Sequence, residues 1–245
     1  MPRYKCIVEY DGTNFCGWQI QENGKTIQGE IEKAIKLFSG EDVTICTAGR
    51  TDSGVHALAQ VFHFDLSKEY NVENIRGGLN FHLSTDAISV LSAEIVDENF
   101  HARFGAKKRH YKYIIINRRS PLALNLNRAW HVPVILDIGA MNQAAKLFLG
   151  THDFTSFRDS ECQAKSAIKT IDSLDVVKHD HDIIISISAK SFLHHMVRNI
   201  TGTLKLVGEG KLSVNDIPEI FAKRDRAAAG PTAPACGLYF VKVEY

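Results

Sequence analysis

The sequence predicts an α+β fold. Some segments alternate apolar and polar residues as strands do, and others place apolar residues at the i, i+3, i+4, i+7 spacing of a helix face. The order in which they follow one another fits α+β architecture better than a regular strand–helix–strand ladder. That order is similar in two halves, 1–105 and 106–245, a loose echo compatible with duplication or pseudo-symmetry.

In the first half, Tyr4–Tyr10 reads as a strand that stops at the turn pair Asp11-Gly12. A helix is expected from Thr26, with Ile31, Ala34, Ile35 and Phe38 on one face and Gly40 where a helix C-terminus favours glycine. Val43–Cys46 and Ala59–Phe64 read as strands, separated by the polar, glycine-rich loop Gly49–Gly54. In the second half a basic run, Lys107-Lys108-Arg109-His110, leads into the β-rich Tyr111–Ile116. Asp137 is an N-cap candidate for a helix with Ile138, Met141, Ala145 and Phe148 on one face, closed by Gly150. Residues 171–177 and 183–189 alternate like the arms of a hairpin linked through Lys178–Asp182. A long helix is expected from Ser191 to Val207, and Gly237–Glu244 reads as a final strand.

Composition narrows the function classes. The 245 residues are 44% hydrophobic and 23% charged, enough apolar surface to offset the entropy of ordering the chain, so disorder is not expected. The net charge of +1 excludes a uniformly basic, histone-like binder, and any nucleic-acid site must come from local clusters of charge. No run approaches the roughly 18 apolar residues of a membrane span, and Met1–Lys5 has no apolar signal-peptide core, so a cytoplasmic protein is expected. Five widely spaced cysteines with no Cys-x-x-Cys argue for reduced thiols rather than a disulfide framework or a zinc site.

Two segments concentrate chemistry. Gly49-Arg50-Thr51-Asp52-Ser53-Gly54-Val55-His56-Ala57 isolates an arginine, a carboxylate and a histidine between glycines that permit sharp bends and close approach to a ligand. With a reference pKa of about 3.9, Asp52 is ionised at pH 7 and is a ready nucleophile or base. The spacing alone is also compatible with an Asx-turn that merely caps the loop. The second segment is Ser191–Ile200, where Phe192, Met196, Ile200, Leu204 and Val207 form an apolar stripe. His194, Arg198, Thr201 and Lys205 fall on another helix face. A buried arginine there would demand a carboxylate, because an unpaired buried charge costs about 3–5 kcal/mol. Pairing Arg198 with Asp52 would satisfy both, whereas an arginine exposed at the helix edge would need no partner.

The basic run interleaves Lys107, Lys108, Arg109, His110 and Lys112 with Tyr111 and Tyr113, and Arg118, Arg119, Lys223, Arg224 and Arg226 extend it. Cations take phosphates and aromatic faces stack on bases, although solvated surface charge and core tyrosines would look the same. Walker, His-Glu-x-x-His, Gly-x-Ser-x-Gly and dinucleotide motifs are all missing. His194 and His195 would point about 100° apart on a helix and so ligate one metal poorly. A metal-dependent hydrolase using His152, Asp153 and that pair, and an RNA chaperone without turnover, are the competing readings.

Eight motifs in order carry a resemblance to the tRNA pseudouridine synthase A family along essentially the whole chain. They are Tyr10-Asp11-Gly12-Thr13 with Phe15 and Gly17-Trp18-Gln19; Thr26–Glu30; Gly49–Ala57; Phe100-His101-Ala102-Arg103; Tyr111-Lys112-Tyr113; Gly150–Phe157; Phe192–Ile200; and Ala233–Leu238. Ser53 departs from the alanine more usual there, and its hydroxyl is a candidate competitor for a hydrogen bond with Asp52. The resemblance implies isomerisation of uridine to pseudouridine at tRNA positions 38, 39 and 40 in the anticodon stem-loop, by a homodimer with no cofactor and no metal. It implies Asp52 as the catalytic aspartate and Arg198 as its ion-pair partner. Tyr111 would pack against the target uracil, Arg50 would help hold the nucleotide out of its stem, and Leu238 would wall the pocket. The fold it implies is two ferredoxin-like halves with mostly antiparallel sheets joined into one, helices on one face and a basic cleft between the halves. The first half would carry the aspartate loop and the second the tyrosine and arginine.

Overall fold

The computed structural model describes residues 1–22 and 24–245 and divides them into two units, Met1–Lys107 with Tyr239–Tyr245, and Lys108–Leu238. The first contains β1 (Arg3–Tyr10), α1 (Ile27–Ser39), β2 (Cys46–Thr47), β3 (His56–Asp65), α2 (Val72–His82) and β4 (Ile88–Val96). The second contains β5 (Lys108–Ile116), β6 (Trp130–His131), α3 (Ile138–Lys146), β7 (Gly150–Asp153), β8 (Ile168–His179), β9 (Asp182–Ala189), α4 (Met196–Gly208) and α5 (Asp216–Lys223). The last strand, β10 (Leu238–Glu244), lies from Tyr239 onward in the first unit. The fold is α+β, as expected. No described helix is long and apolar enough to cross a membrane.

In the first unit β1 alternates strictly, and Tyr4, Cys6, Val8 and Tyr10 point inward. It pairs antiparallel with β3 on one side and β4 on the other, while β2 pairs with β3. The order β4-β1-β3-β2 with two crossover helices is the ferredoxin-like βαββαβ arrangement. Residues Tyr239 and Phe240 of β10 run parallel to β3 opposite His56 and Ala57. Thr26 caps α1 by accepting the Gly29 N–H at 3.2 Å, and Ile31, Ala34 and Ile35 are buried. Phe38 is not in the core: it leans on Tyr70, with ring centroids 5.1 Å apart, at the rim. The strand expected at Val43–Cys46 shrinks to Cys46–Thr47. Helix α2 and strand β4 are additional elements that the sequence reading did not identify.

In the second unit the antiparallel order is β5-β9-β8-β7, with β6 parallel to β5. Asp137 accepts the Ala140 N–H at 3.0 Å and starts α3, which packs on β8 and α4. That helix ends at Lys146; Gly150, at φ 86°, opens β7 instead of closing it. The β8–β9 hairpin turns tightly at Asp180-His181, with Asp180 at φ 51°, so Lys178 and His179 stay in the strand. Phe148, Phe154 and Phe157 are fully buried beside Phe221 of α5, a helix also unforeseen from the sequence.

The largest correction concerns α4. It begins at Met196, not Ser191, because His195 adopts a left-handed conformation (φ 60°, ψ 0°) immediately before it. Ser191–His195 are therefore outside the helix, and the helical faces assigned to Phe192 and His194 do not exist.

Candidate active site

In the first unit, the loop between β2 and β3 carries Arg50 and Asp52. Arg50 is exposed and Asp52 is partly buried. The backbone closes the turn itself, Val55 N–H donating to the Asp52 carbonyl at 3.1 Å. The loop rests on residues 10–18. Trp18 N–H donates to the Thr51 carbonyl at 3.0 Å, and the Tyr10 hydroxyl meets the Thr51 hydroxyl at 2.8 Å in a buried contact. Gly17, at φ 87°, comes so close that a Cβ there would lie 2.8 Å from the Thr51 carbonyl oxygen and 3.1 Å from the Ser53 nitrogen. The Gln60 amide reaches the Gly49 carbonyl at 2.7 Å, tying the other end of the loop to β3. Burial pushes the Tyr10 phenol above its ordinary range, so this brace stays neutral. The motifs at 10–19 and 49–57 are thus one structure: the first is the bed on which the second is fixed. Ser53 donates its proton to the Phe15 carbonyl at 3.1 Å, which spends the hydroxyl on that bed and not on Asp52.

His56, just after the loop, is buried, with Nδ1 3.0 Å from the Gly12 nitrogen and 3.1 Å from an Asp11 carboxylate oxygen. Its ring stacks on Tyr239 at 4.7 Å. The sequence singled out His56 only by its place in the motif; its neighbours make it a packing residue between β1, β3 and β10.

In the second unit, Tyr111 of β5 stands opposite Ile187 of β9, partly exposed, with Phe192 meeting its ring edge-on at 5.2 Å. Tyr113, two residues on, is fully buried and donates its hydroxyl to the Pro234 carbonyl at 2.7 Å. Burial raises its pKa far above the usual tyrosine range. Of the two, only Tyr111 is partly exposed. The basic run is also less free than it reads, since Lys108 pairs with Asp172 at 3.2 Å and Arg109 donates to the Lys190 carbonyl at 2.5 Å. Leu238 is buried at the start of β10.

Arg198 is the third residue of α4. It is partly exposed, and its Nε donates to the Ala233 carbonyl at 2.7 Å. That bond fixes the plane of the guanidinium, whose terminal nitrogens form a fork of the kind that grips carboxylates. The residues around it were not legible as functional. Asn199 and Thr203 are fully buried polar side chains one helical turn apart, a signal available only from their position inside an apolar helix. His195 Nδ1 lies 2.6 Å from an Asp159 oxygen, and the His194 ring lies tilted against that of His195, with centroids 3.9 Å apart. Burial works against it, yet the Glu161 N–H and the His195 ring hold the Asp159 carboxyl below its ordinary pKa.

Of the hydrolase set, His152 Nε2 lies 2.7 Å from the Leu149 carbonyl, and its ring stacks on Phe221. Asp153 accepts from the Thr155 N–H and hydroxyl and pairs with Arg224. Both are committed to packing. Ligand-capable atoms of Cys46, His63 and His101 lie within 4.8 Å of one another. However, His63 Nδ1 accepts the Ala102 N–H at 3.2 Å, and His101 Nδ1 accepts the Arg103 N–H at 3.1 Å. A neutral imidazole that accepts at Nδ1 carries its proton on Nε2, which therefore has no lone pair to give a cation. His63 and His101 are thus hydrogen-bonded supports for the 100–104 loop.

The profile of the family described as tRNA pseudouridine synthase matches residues 6–105 and 144–245. The tRNA pseudouridine synthase A of Rhodopseudomonas palustris (strain BisA53) is 56% identical over 245 residues, covering 100% of both chains. That of Paramagnetospirillum magneticum is 54% identical over 245 residues, covering 100% of this chain and 96% of its own. That of Methylobacterium radiotolerans is 50% identical over 250 residues, covering 100% and 98%. A chain from the crystal structure of a Cbf5-Nop10-Gar1 complex aligns with 96% of this chain and 57% of itself, at 9% identity and a TM-score of 0.36, too weak a likeness to carry any argument. Full-length identity of this order, joined to a loop and a bed that account for the motifs at 10–19 and 49–57, places the chain in the tRNA pseudouridine synthase family.

Proposed function

We propose that this tRNA-modifying isomerase converts uridine to pseudouridine at positions 38, 39 and 40 of the anticodon stem-loop, acting in the cytoplasm as a homodimer, with Asp52 as the catalytic carboxylate. The observation that carries the assignment of Asp52 is its loop, which is braced at Thr51 and Ser53, on either side of the carboxylate-bearing residue. A residue that merely capped a surface turn would need no such bed.

The reaction exchanges an N1–C1′ bond for a C5–C1′ bond on the same base, with no net gain or loss of atoms. Three routes suit an ionised carboxylate: attack on C1′, addition to C6 of the uracil, or removal of the C2′ proton. Each needs the carboxylate oriented and partly shielded from water. In this proposal the fork of Arg198 pairs with Asp52, holding it ionised and aimed. The target base must leave its stack at a cost of a few kcal/mol. Stacking on Tyr111 returns about 1–3 kcal/mol of that. The exposed Arg50 holds the extruded nucleotide, Leu238 lines the apolar side of the pocket, and lysine and arginine contacts to phosphates make affinity fall with salt.

The test is to incubate purified protein with unmodified tRNA and map pseudouridine chemically along the strand. Wild-type protein is expected to modify only residues 38–40. Asp52→Asn is expected to abolish turnover while tRNA affinity stays within about tenfold, because phosphate contacts dominate binding. Full turnover by that variant would end the assignment of Asp52, and modification elsewhere in the tRNA would end that of the target.

A further inference from the structure

Arg198 is held by more than its helix. Its Nε donates to the Ala233 carbonyl at 2.7 Å, and the Ala233 N–H donates back to the Arg198 carbonyl at 3.1 Å. Ala233 is therefore the stop against which the guanidinium rests. Residues 226–233 reach that position through a polar latch on α4. Arg226 donates from Nη1 to the Gly230 carbonyl at 2.9 Å, and from Nη2 to Asn199 Oδ1 at 2.9 Å and Thr232 Oγ1 at 3.0 Å. Thr232 donates in turn to Asn199 Oδ1 at 2.7 Å, and Asn199 Nδ2 donates to the Phe157 carbonyl at 2.9 Å. The Gly230 N–H donates to Thr203 Oγ1 at 2.9 Å. The strap lies flush on the helix: a Cβ on Gly202 would sit 1.7 Å from the Pro231 carbonyl oxygen, and one on Gly230 would sit 2.7 Å from the Thr203 backbone.

The choice of residue at the centre of the latch is informative. Arg226 is half-buried, every hydrogen-bond acceptor it meets is neutral, and among the described residues it forms no ion pair. Burial lowers its pKa, with the field of Asp159 opposing. A strap that only needed fastening would be fastened at lower desolvation cost by a neutral side chain. What an arginine supplies is several donors in one rigid plane, which here fix three acceptors on two segments relative to one another.

We propose that Arg226 is a positioning residue for the isomerisation: through Asn199 and Thr232 it sets the Ala233 carbonyl against Arg198 Nε, so that both terminal nitrogens of Arg198 face the Asp52 carboxylate together. This rests on the pairing of Asp52 with Arg198 proposed above. Arg226 itself touches neither substrate nor carboxylate.

The experiment is a double-mutant cycle read by single-turnover pseudouridine formation at saturating enzyme, with tRNA affinity and thermal midpoint measured in parallel. Arg226→Lys and Thr232→Val are expected to slow the bound-state rate about tenfold while tRNA affinity stays within about threefold, since small misplacements cost rate more than binding. A merely structural role would lower the thermal midpoint and the active fraction but leave the rate of the bound, folded population unchanged. Because the latch works through Arg198, adding Thr232→Val to Arg198→Met is expected to cost nothing further. Wild-type bound-state rates in both single variants, or losses that multiply with that of Arg198→Met, overturn the proposal. A wild-type rate in Arg198→Met alone overturns the pairing itself and this inference with it, which separates the two failures. Thr232→Val, which keeps the charge, decides the matter should Arg226→Lys fold poorly.

Discussion

Acidification probes the packing beneath the Phe100–Arg103 motif. His63 of β3 is 5% exposed, accepts the Ala102 N–H, and lies 5.9 Å from the Phe100 ring and 4.9 Å from that of His101. Burial, then the nearby Arg3 guanidinium and His101, lower its pKa from 6.5 to about 4. Between these values the unfolded chain binds more protons than the folded one, so stability rises with pH across the window. The contribution is fully present above pH 6.5 and is lost as pH falls towards 4. At 1.36 kcal/mol for each pKa unit, its ceiling is about 3 kcal/mol. Urea unfolding followed by the fluorescence of Trp18, buried in the first unit, measures it in a Trp130→Phe background. His63→Asn keeps an acceptor for the Ala102 N–H but does not titrate. From neutral pH to pH 4, wild type is expected to lose about 3 kcal/mol more than this variant. Groups other than His63 titrate in both proteins and cancel in the comparison. Equal losses would refute the claim that a buried neutral histidine supports this loop.

Three further outcomes are expected. Ser53→Ala removes a partly exposed bond to the Phe15 carbonyl, so the urea midpoint should fall by the equivalent of about 0.5–1 kcal/mol with turnover retained; a large loss of turnover would show that the hydroxyl acts on Asp52 after all. Tyr111→Phe keeps the ring, and tRNA affinity should hold; a collapse in turnover at unchanged affinity would assign the work to the phenol oxygen. Tyr113→Phe deprives the Pro234 carbonyl of its buried donor, costing about 1–3 kcal/mol of stability in a denaturant titration, with the rate of folded protein unchanged.

What was legible in the sequence was whatever depends on near neighbours. Helix α1 was found because Thr26, the Ile31–Ala34–Ile35 face and Gly40 all lie within one element. The β8–β9 hairpin was found because its alternation is regular on both arms. Helix α2 escaped because Gly77 and Gly78 interrupt a face defined only by Ile75 and Leu79. The start of α4 was misplaced because Phe192 continues the apolar stripe, while the left-handed turn at His195 leaves no periodic trace. The same division holds at the site. Asp52, Arg50, Tyr111, Arg198 and Leu238 stand in motifs and could be named. The contacts that brace Thr51 and Ser53, and the strap that steadies Arg198, join residues about 35 positions apart. Arg226 looked like one more member of a basic surface, and its partial burial and neutral acceptors distinguish it from the exposed Lys223 and Arg224.

The membership of residues 239–245 in the first unit has a consequence for biosynthesis. Tyr239 stacks on His56, Lys107 N–H donates to the Glu244 carbonyl at 2.7 Å, and the Tyr245 hydroxyl reaches the Ala102 carbonyl at 2.9 Å. A nascent chain that has emerged only as far as Lys107 leaves the first residues of β3, His56 and Ala57, bare on the flank that β10 later covers, next to the segment bearing Asp52, and a bare strand flank is an invitation to wrong partners. The ribosome must deliver the whole second unit before that flank is covered, so maturation of the first-made unit waits on the last-made strand.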